Sequence, residues 1–516
     1  MPKANVSASD PKDLPGRLFG LLMVTLALIL FVPSPFWAAE PLRRIPTVVH
    51  VHSTWSSGNL TLDELIARAR ATGVEAIFLT ENHLLQFEYG LPPLRNLLRY
   101  RVEFPSLLSR GPAAFLQAVQ EANGRQKDVL LVPGAQVIPH YYWTGSLLGR
   151  TLTLHDTQKD ILALGLYRAE DYQDLPAVGN PAAARWGMAS LWLLSPAFLV
   201  VPGAWLFRVR HRRVVRLQHF RVTVDRRFTA CGILCLAISA LFLADGFPFR
   251  MPPVSPYDPE AGLQPHQAVI DFVIARGGIS VWSLPEARDH PVVSVLGMRA
   301  TVNTDPYPSD LLRTDRFTAF GGIYEDTTSF TEPGGRWDRL LADYLAGRRV
   351  APAWAIGEAA YHAEGQAGKR LGTIQTVLLV TRKDSPALTE ALRSGRFYAL
   401  HRTPEAGLVL DQFQLLLPHH PPVEAGEQIA LCGGGRPEIR AAIHATDDRP
   451  IAIEARLVRN GIVVQAIRGE TPLLWDWKEP ALPADSNLFY RLEVRGPVGH
   501  RILSNPIFLR SQRGSL

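Results

Sequence analysis

The hydrophobic residues near the start of this chain change their spacing twice within a short stretch. Residues 46–52 (PTVVHVH) form a β-branched run that is typical of a strand. Four apolar residues then follow at helical spacing, namely Leu62, Leu65, Ile66 and Ala69. Residues 74–80 (VEAIFLT) form a second apolar run. The pattern predicts a strand, a helix and a strand, with polar residues at the carboxyl ends of both strands.

Residues at both ends of the predicted helix indicate where it begins and ends. Thr61 and Glu64 have the spacing of a capping box, in which each side chain bonds to the backbone of the other residue. Gly73 is expected to end the helix. Such a unit fits an α/β barrel, where sites lie at the carboxyl ends of the strands. An open doubly wound sheet is the alternative, but no Gly-x-Gly-x-x-Gly follows the first strand, so a nucleotide-binding half is not supported.

Two histidines, His50 and His52, end the first strand. Residues i and i+2 of a strand share a face, so we expect the two imidazoles to lie side by side. Such a pair, followed by a Ser/Gly turn, is suited to binding a metal ion. The alternative is two ordinary polar residues at a strand end.

The motifs resemble those of the polymerase and histidinol phosphatase (PHP) superfamily. The resemblance begins with His50-Val51-His52-Ser53, a turn ending in Gly58, the capped helix and the Leu-Thr-acid end of the second strand. Three later stretches fit the same family in order, namely residues 130–134 (LLVPG), 277–283 (GGISVWS) and 356–362 (IGEAAYH). The resemblance covers residues 46–180 and 251–405. It implies a distorted β/α barrel with up to three metal ions at the strand ends, and phosphoester hydrolysis as the activity of the better-known members.

The resemblance also implies a set of metal ligands. The candidates are His50, His52, Glu81, His83, His155 and His362. At five ligand positions of the family this chain has a different residue, namely Ser57, Asn82, Gln136, Leu284 and Ala360. His83 comes one residue late, and His155 is as readily an ordinary loop residue. A full multinuclear centre is therefore not expected; the cofactor prediction is at most one divalent ion, zinc or manganese, and no residue is assigned as catalytic.

Two apolar segments, residues 186–207 and 228–247, interrupt the region of resemblance. Each is close to the roughly 20 residues that a spanning helix needs. Between them, residues 208–227 contain eight arginines and one aspartate, a net charge of +7 against +6 for the whole chain, so the remainder carries −1. Nucleic acid is therefore not an expected partner. We predict a transmembrane hairpin whose basic loop is cytoplasmic; buried barrel helices are the alternative.

The N-terminal residues give a second membrane signal. Residues 18–32 are apolar and are preceded by Lys3, Lys12 and Arg17, which is typical of a signal peptide or an uncleaved anchor. Either one exports the chain that follows. Both halves of the predicted barrel then lie on the periplasmic or extracellular side of the cytoplasmic (inner) membrane, with the lipid bilayer as a partner.

Beyond residue 405 the chain consists of short β-rich runs separated by turn residues. Asn460-Gly461 between two of these runs indicates a hairpin. We predict a small β-sandwich that either covers the barrel or binds a sugar or a partner.

The predicted fold class is α/β, a PHP-like distorted β/α barrel interrupted by a transmembrane helical hairpin and followed by an all-β sandwich-like domain. The predicted parts are an N-terminal signal anchor or signal peptide (1–40), the first half of the barrel (41–185), the hairpin (186–247), the second half of the barrel (248–405) and the sandwich (406–516).

Two functions follow from these predictions. The first is an exported, membrane-tethered binding or scaffolding protein with weak or no hydrolysis, whose ligand is an unidentified small molecule or glycan. The second is an active metal-dependent phosphoesterase with a reduced site.

Overall fold

The computed structural model describes residues 42–511, apart from 148, 219, 296–297, 326–327, 432–435, 448, 481–486 and 498. From Arg43 onward these residues belong to one compact unit. The predicted signal anchor or signal peptide, residues 1–40, lies outside the described residues.

The part of the chain before the apolar insertion is built of short strands and helices. Its strands are β1 (Arg43–Val51), β2 (Ala76–Leu79), β3 (Glu81–Asn82), β4 (Gln86–Gly90), β5 (Arg99–Glu103), β6 (Leu130–Val132), β7 (Gly134–Val137), β8 (Tyr142–Thr144), β9 (Thr153–His155) and β10 (Ile161–Leu164). Its helices are α1 (Leu62–Ala71), α2 (Leu107–Arg110), α3 (Pro112–Arg125), α4 (Ala169–Gln173) and a 3₁₀ turn at Pro181–Ala183.

The apolar insertion contains α5 (Ser190–Leu193), a 3₁₀ turn (Ser195–Leu199), α6 (Val200–Arg208), β11 (Arg210–Leu217), β12 (Phe220–Arg227) and α7 (Thr229–Gly246). The part that follows contains α8 (Gln264–Ala275), β13 (Ile279–Trp282), β14 (Val292–Val295), β15 (Met298–Asn303), α9 (Pro308–Leu311), β16 (Ala319–Ile323), α10 (Arg336–Leu345), β17 (Trp354–Tyr361), a 3₁₀ turn (Gln366–Gly368), β18 (Ile374–Val380), α11 (Ser385–Ser394) and β19 (Phe397–His401).

The last part is built of strands. They are β20 (Leu408–Leu416), β21 (Val423–Glu424), β22 (Gln428–Leu431), β23 (Glu438–Ala445), β24 (Ala452–Arg459), β25 (Ile462–Glu470), β26 (Leu473–Lys478), β27 (Leu488–Arg495), β28 (Arg501–Ser504) and β29 (Ile507–Ser511).

Helix α1 forms where the sequence predicts it. The Thr61 side chain accepts a hydrogen bond from the amide of Glu64, and the Glu64 carboxylate accepts one from the amide of Thr61 at 2.8 Å. The four apolar residues at helical spacing are the buried residues of this helix. Gly73 follows the helix with φ +72°, a conformation that favours glycine. The predicted helix and its capping box are confirmed.

The strands before and after the insertion pair in a ring. β1 is parallel to β2 on one side and to β17 on the other. β2 and β3 pair in parallel with β6 and β7, and β10 pairs antiparallel with both β7 and β13. β16 joins β13 to β17 in parallel, so the pairings lead back to β1. Helices α1, α3, α8, α10 and α11 pack on these strands in one apolar core, and the predicted mixed α/β fold is confirmed.

The insertion leaves and rejoins this unit at one point. The backbones of Arg185 and Met251 bond to each other there in an isolated antiparallel bridge. Two described segments, Ser190–Arg208 and Thr229–Gly246, are long and apolar enough to cross a bilayer, and few of their residues are buried. A Cβ on Gly232 would lie 2.9 Å from the carbonyl oxygen of Gly203, so the glycines allow the two segments to pack closely.

The terminal strands form two facing sheets with a common apolar core. The predicted hairpin at Asn460-Gly461 is confirmed: it joins β24 to β25, and both residues have positive φ. One of the sheets continues into the preceding part, since β28 pairs antiparallel with β19. A buried ion pair between Arg491 and Asp338, with Nε and Oδ1 2.7 Å apart, also crosses the predicted domain boundary at residue 405.

Candidate functional site

The side chain of His50 is fixed at the carboxyl end of β1 by a carboxylate from β17. Its Nδ1 donates to Oε1 of Glu358 at 2.6 Å, and both side chains are buried. The same carboxylate accepts hydrogen bonds from the Ser283 hydroxyl at 2.6 Å and from the Leu284 amide at 3.0 Å. Three strand ends therefore meet at one carboxylate. Sequence analysis missed Glu358, although one carboxylate in an otherwise apolar buried strand is itself a signal, because it requires buried partners.

Irregular backbone brings these residues together. His50, Leu284 and Ala360 have φ of +72°, +39° and +43°, which side-chain-bearing residues seldom adopt. The pairing of β1 shifts register between Val49 and Val51, where His50 lies. The site is thus built where three strands leave regular geometry at their ends.

His52 and His362 lie in face-to-face contact beside His50. Their ring centroids are 4.1 Å apart with 6° between the planes, and the His50 and His52 centroids are 5.2 Å apart. Burial lowers the pKa of His362 to about 4 and lowers the pKa of His52 well below its usual value, and the charge of Lys369 acts in the same direction on both. Both imidazoles are therefore neutral at neutral pH.

Gln136 joins the histidines to a second buried carboxyl group. Its Oε1 lies 3.4 Å from Nε2 of His50, and its Nε2 donates to the carboxyl of Asp160. Burial, together with the charge of Glu358, raises the pKa of Asp160 to about 8. Asp160 lies just before β10 and was also missed by sequence analysis. A carboxyl that keeps its proton at neutral pH is a hydrogen-bond donor rather than an anion.

Glu81 lies inside a cage of serines from the turn after β1. It accepts hydrogen bonds from the amide and the hydroxyl of Ser53, at 2.9 and 2.5 Å, and from the hydroxyl of Ser56 at 2.5 Å. Burial raises the pKa of Glu81 to about 7 against the opposing effect of these bonds. Beside the cage, Ser57 Oγ accepts from Asn82 and lies 3.0 Å from Nδ1 of His362.

Two of the predicted ligands lie away from this cluster. Nε2 of His83 lies 2.6 Å from the carbonyl oxygen of Tyr172, away from the other histidines. His155 is in the small sheet, stacked on Tyr142 with centroids 4.7 Å apart. The structure therefore brings together His50, His52 and His362, and the metal role predicted for His83 and His155 has no support in this placement.

The donor set does not fit a metal ion in this arrangement. The lone pair of an imidazole nitrogen lies in the plane of its ring, so His52 and His362, stacked face to face, cannot direct their nitrogens at one ion. Glu358, Glu81 and Asp160 are bonded to protein donors instead. Among the residues that the structure describes, no three His, Cys, Asp or Glu side chains are placed to hold a metal. The binding of one divalent ion, zinc or manganese, stays a prediction.

A cavity of about 390 Å³ opens over these side chains. Its lining includes His50, Gln136 and Asp160, and two cationic residues, Lys369 and Arg288, lie in its wall. The ammonium of Lys369 donates to the carbonyl oxygen of Ala360 at 3.0 Å, one of the positions where the sequence resemblance implies a ligand. The cavity therefore offers the neutral imidazole of His362, a protonated carboxyl at Asp160, and two cations beside the acidic residues Asp289 and Glu325, a combination suited to a polyhydroxylated ligand or one with an anionic group.

Comparisons with known proteins give the following similarities. No family model and no curated protein matches the chain. It is similar to the crystal structure of a two-domain protein from Bacteroides vulgatus ATCC 8482 that contains a predicted PHP-like metal-dependent phosphoesterase, with 9% identity, a TM-score of 0.33, and 87% of this chain and 90% of that chain covered. It is also similar to a candidate metal-dependent phosphoesterase from Bifidobacterium adolescentis ATCC 15703, with 15% identity, a TM-score of 0.27, and 63% and 90% covered. Similarities this distant carry no argument about the activity of this chain.

Proposed function

We propose that this chain is a membrane-tethered, exported PHP-like protein that binds a small anionic or glycan ligand and has weak or no hydrolytic activity. The observation that best supports this is the stacking of His52 on His362, with centroids 4.1 Å apart. Side chains that would coordinate metal ions in a hydrolase bond to or stack on one another here.

The strand ring supports a distorted β/α barrel as the fold. Its strands carry the motifs of the resemblance in order, and helices cover them. Within the ring, β10 runs against its two neighbours. The candidate site lies at the carboxyl ends of β1, β13 and β17, the edge at which barrel enzymes build their sites.

The charge of the cavity supports binding without catalysis by metal ions. Lys369 supplies a fixed positive charge close to His52 and His362. A cation at this place attracts an anionic group but does not activate water as a metal ion does. Gln136 adds a neutral hydrogen-bonding group to the lining at a position where the family has a ligand.

The apolar insertion supports a membrane tether. Many large apolar side chains of its helices are exposed, among them Trp192, Phe198 and Trp205. An apolar surface of this extent needs a partner, and a bilayer satisfies it. The arginine-rich segment forms the β11–β12 hairpin at one end of the helix pair, and the positive-inside rule supports a cytoplasmic position for it.

Two observations favour a phosphoesterase with a reduced site as the second candidate. Glu358 orients His50 as a carboxylate orients a metal-ligating histidine, and Nε2 of His52 is buried with no hydrogen-bond partner among the residues that the structure describes. A rotation of His362 that ends the stacking would be needed before these nitrogens could share an ion.

Metal analysis of the full chain, purified in detergent and dialysed without chelator, separates the candidates. The proposal expects at most one tightly bound ion per chain, and two or more would overturn it. Hydrolysis of bis(p-nitrophenyl) phosphate with added Mn²⁺ or Zn²⁺ that disappears on His50→Ala with His52→Ala would establish the second candidate instead.

Calorimetric titration with glycerol 3-phosphate tests the ligand class. Lys369→Met should weaken its binding by at least about tenfold, because a desolvated charge pair is lost. Lys478→Met removes an exposed lysine of the terminal strands and should leave binding unchanged. Equal binding by both variants would contradict the role given to Lys369.

A further inference from the structure

A second cavity, of about 300 Å³, lies between the β4–β5 hairpin and the small sheet that contains β8, β9, β14 and β15. Its lining is mainly aliphatic and aromatic and includes Phe87, Tyr89, Val102, Trp143, Leu154 and Val302. Tyr89, Trp143, Leu154 and Val302 of this lining belong to an apolar cluster separate from the main core. An apolar cavity of this size accommodates an alkyl chain.

The two cavities adjoin. Gln136, Gln158 and Asp289 line both of them. Gln136 also contacts His50 and Asp160 in the polar cavity. A ligand that fills both spaces would therefore have an apolar part in the second cavity and a polar part beside His50 and Lys369.

The wall of the apolar cavity is attached to the apolar insertion. The backbone amides of Asn96 and Leu97, between β4 and β5, each donate to the carboxylate of Asp245 at 2.8 Å. Asp245 lies in the last turn of α7, the second of the two segments long enough to cross a bilayer. The hairpin that forms this wall therefore lies where the apolar helix ends.

The rim of the cavity is apolar and partly exposed. Tyr100 and Phe104 line the cavity and are 39% and 45% exposed, and Leu97 and Leu98 are exposed at the tip of the same hairpin. Exposed apolar side chains beside a helix end are suited to contact with the acyl region of a membrane surface. The apolar cavity thus opens towards the place where the proposed bilayer lies.

From this arrangement we infer that the two cavities form one site for a single-chain anionic lipid, with the acyl chain in the apolar cavity and the head group in the polar cavity. The inference rests on the membrane tether and the polar binding site of the proposed function, and it adds the source and class of the ligand. Glycerol 3-phosphate contains the head group alone, so a lysophosphatidate should bind much more tightly.

The experiment uses the full chain in phosphatidylcholine nanodiscs with radiolabelled 1-palmitoyl lysophosphatidate. Val293→Trp narrows the apolar cavity from its rim, where Val293 is 38% exposed. Val463→Trp is the matched control, a valine of the terminal strands with 39% exposure. We expect Val293→Trp to reduce lysophosphatidate binding at least about tenfold and to leave glycerol 3-phosphate binding unchanged, with no effect of Val463→Trp on either.

Two outcomes would overturn the inference. One is equal lysophosphatidate binding by the two tryptophan variants; the other is wild-type binding of lysophosphatidate no tighter than that of glycerol 3-phosphate. In both cases the proposed polar site would still stand if the binding of glycerol 3-phosphate depends on Lys369. If Val293→Trp fails to fold, native mass spectrometry of the wild-type chain released from the nanodiscs tests the inference instead. One retained lysophosphatidate per chain is expected, and none would refute the site.

Discussion

Nδ1 of His50 and Oε1 of Glu358 lie 2.6 Å apart, although 308 residues separate them in the sequence. Both side chains are almost fully buried, at 1% and 0% exposure. A buried carboxylate is tolerated only when hydrogen bonds replace its lost water, and Glu358 obtains them from the ends of β1 and β13. The pair therefore connects the beginning and the end of the strand ring at the candidate site.

Glu358→Ala should strongly destabilise the protein. The change leaves His50, the Ser283 hydroxyl and the Leu284 amide without their acceptor and should lower the free energy of unfolding by about 3–5 kcal/mol. Urea unfolding of the full chain in detergent, followed by tryptophan fluorescence, measures it. Glu390→Ala, which removes a half-exposed glutamate paired with Arg393, should change that free energy by less than about 1 kcal/mol. Equal losses in the two variants would contradict the role of Glu358.

Gly321→Ala should displace the carboxylate of Glu358. A Cβ at this position would lie 2.0 Å from Oε2 of Glu358, so the carboxylate would have to move away from the Leu284 amide. We expect a loss of about 1–3 kcal/mol in the free energy of unfolding, as for overpacking. Gly124→Ala, in helix α3 with no atom near the new Cβ, should be neutral or stabilising by up to about 1 kcal/mol. A neutral Gly321→Ala would show that Glu358 is not closely confined.

Asp160 should make the stability of the protein fall as the pH rises. Burial raises the pKa of its carboxyl to about 8, whereas an aspartate of the unfolded chain has a pKa of about 3.9. Its contribution is fully present below about pH 4. Between about pH 4 and 8 the unfolded chain loses this proton while the native protein keeps it, so stability is lost over that range.

Asp160→Asn removes this titration. The stability of the variant relative to wild type should therefore increase from pH 5 to pH 7, by at most about 1.4 kcal/mol per pH unit. Urea unfolding at several pH values measures the difference in the free energy of unfolding between the variant and the wild type. The titration of Glu81 and the histidines contributes to both proteins and therefore cancels in this difference. Asp128→Asn, at an exposed aspartate, should show a difference that is independent of pH over this range. A flat difference for Asp160→Asn as well would refute the raised pKa.

Asp245→Ala should loosen the β4–β5 hairpin without unfolding the protein. The change removes the acceptor of the Asn96 and Leu97 amides. Hydrogen–deuterium exchange of residues 91–98 should become at least about tenfold faster, while exchange in β1 and β17 stays the same. Asp258→Ala, in the loop before α8, is the control. Unchanged exchange at residues 91–98 would show that the hairpin does not depend on Asp245.

Reporter fusions test the proposed topology. Green fluorescent protein joined after Arg213 should fluoresce and alkaline phosphatase joined there should be inactive, because the arginine-rich segment is expected in the cytoplasm. Alkaline phosphatase joined after Leu516 should be active. Active phosphatase after Arg213 would contradict the arrangement of the whole chain.

Local patterns in the sequence predicted most elements of the fold but not the connections at the site. The capping box, the spacing of apolar residues and the Asn460-Gly461 turn each depend on residues that are close in sequence. The sequence alone therefore predicted them. The hydrogen bonds of Glu358 and Asp160 come from distant strands, and nothing near them in sequence indicates those partners. His83 shows the same limit, since its direction depends on whether a bulge follows β3.

The insertion contains local structure that the sequence analysis did not predict. Within the arginine-rich segment, Arg210–Leu217 and Phe220–Arg227 pair as antiparallel strands. The first apolar segment was read as continuous, but a 3₁₀ turn beginning at Ser195 separates α5 from α6, because Pro196 lacks the amide that an α-helix needs.

The backbone bridge between Arg185 and Met251 has an evolutionary consequence. The two ends of the insertion meet there as a hydrogen-bonded backbone pair, so a short turn would connect them as well as the helix pair does. A single insertion event at this point would add the helix pair and leave the order of strands and helices around the ring as it was. The same bridge makes residues 186–250 the natural segment to exchange for a two-residue turn when a form of the protein without the apolar helices is wanted.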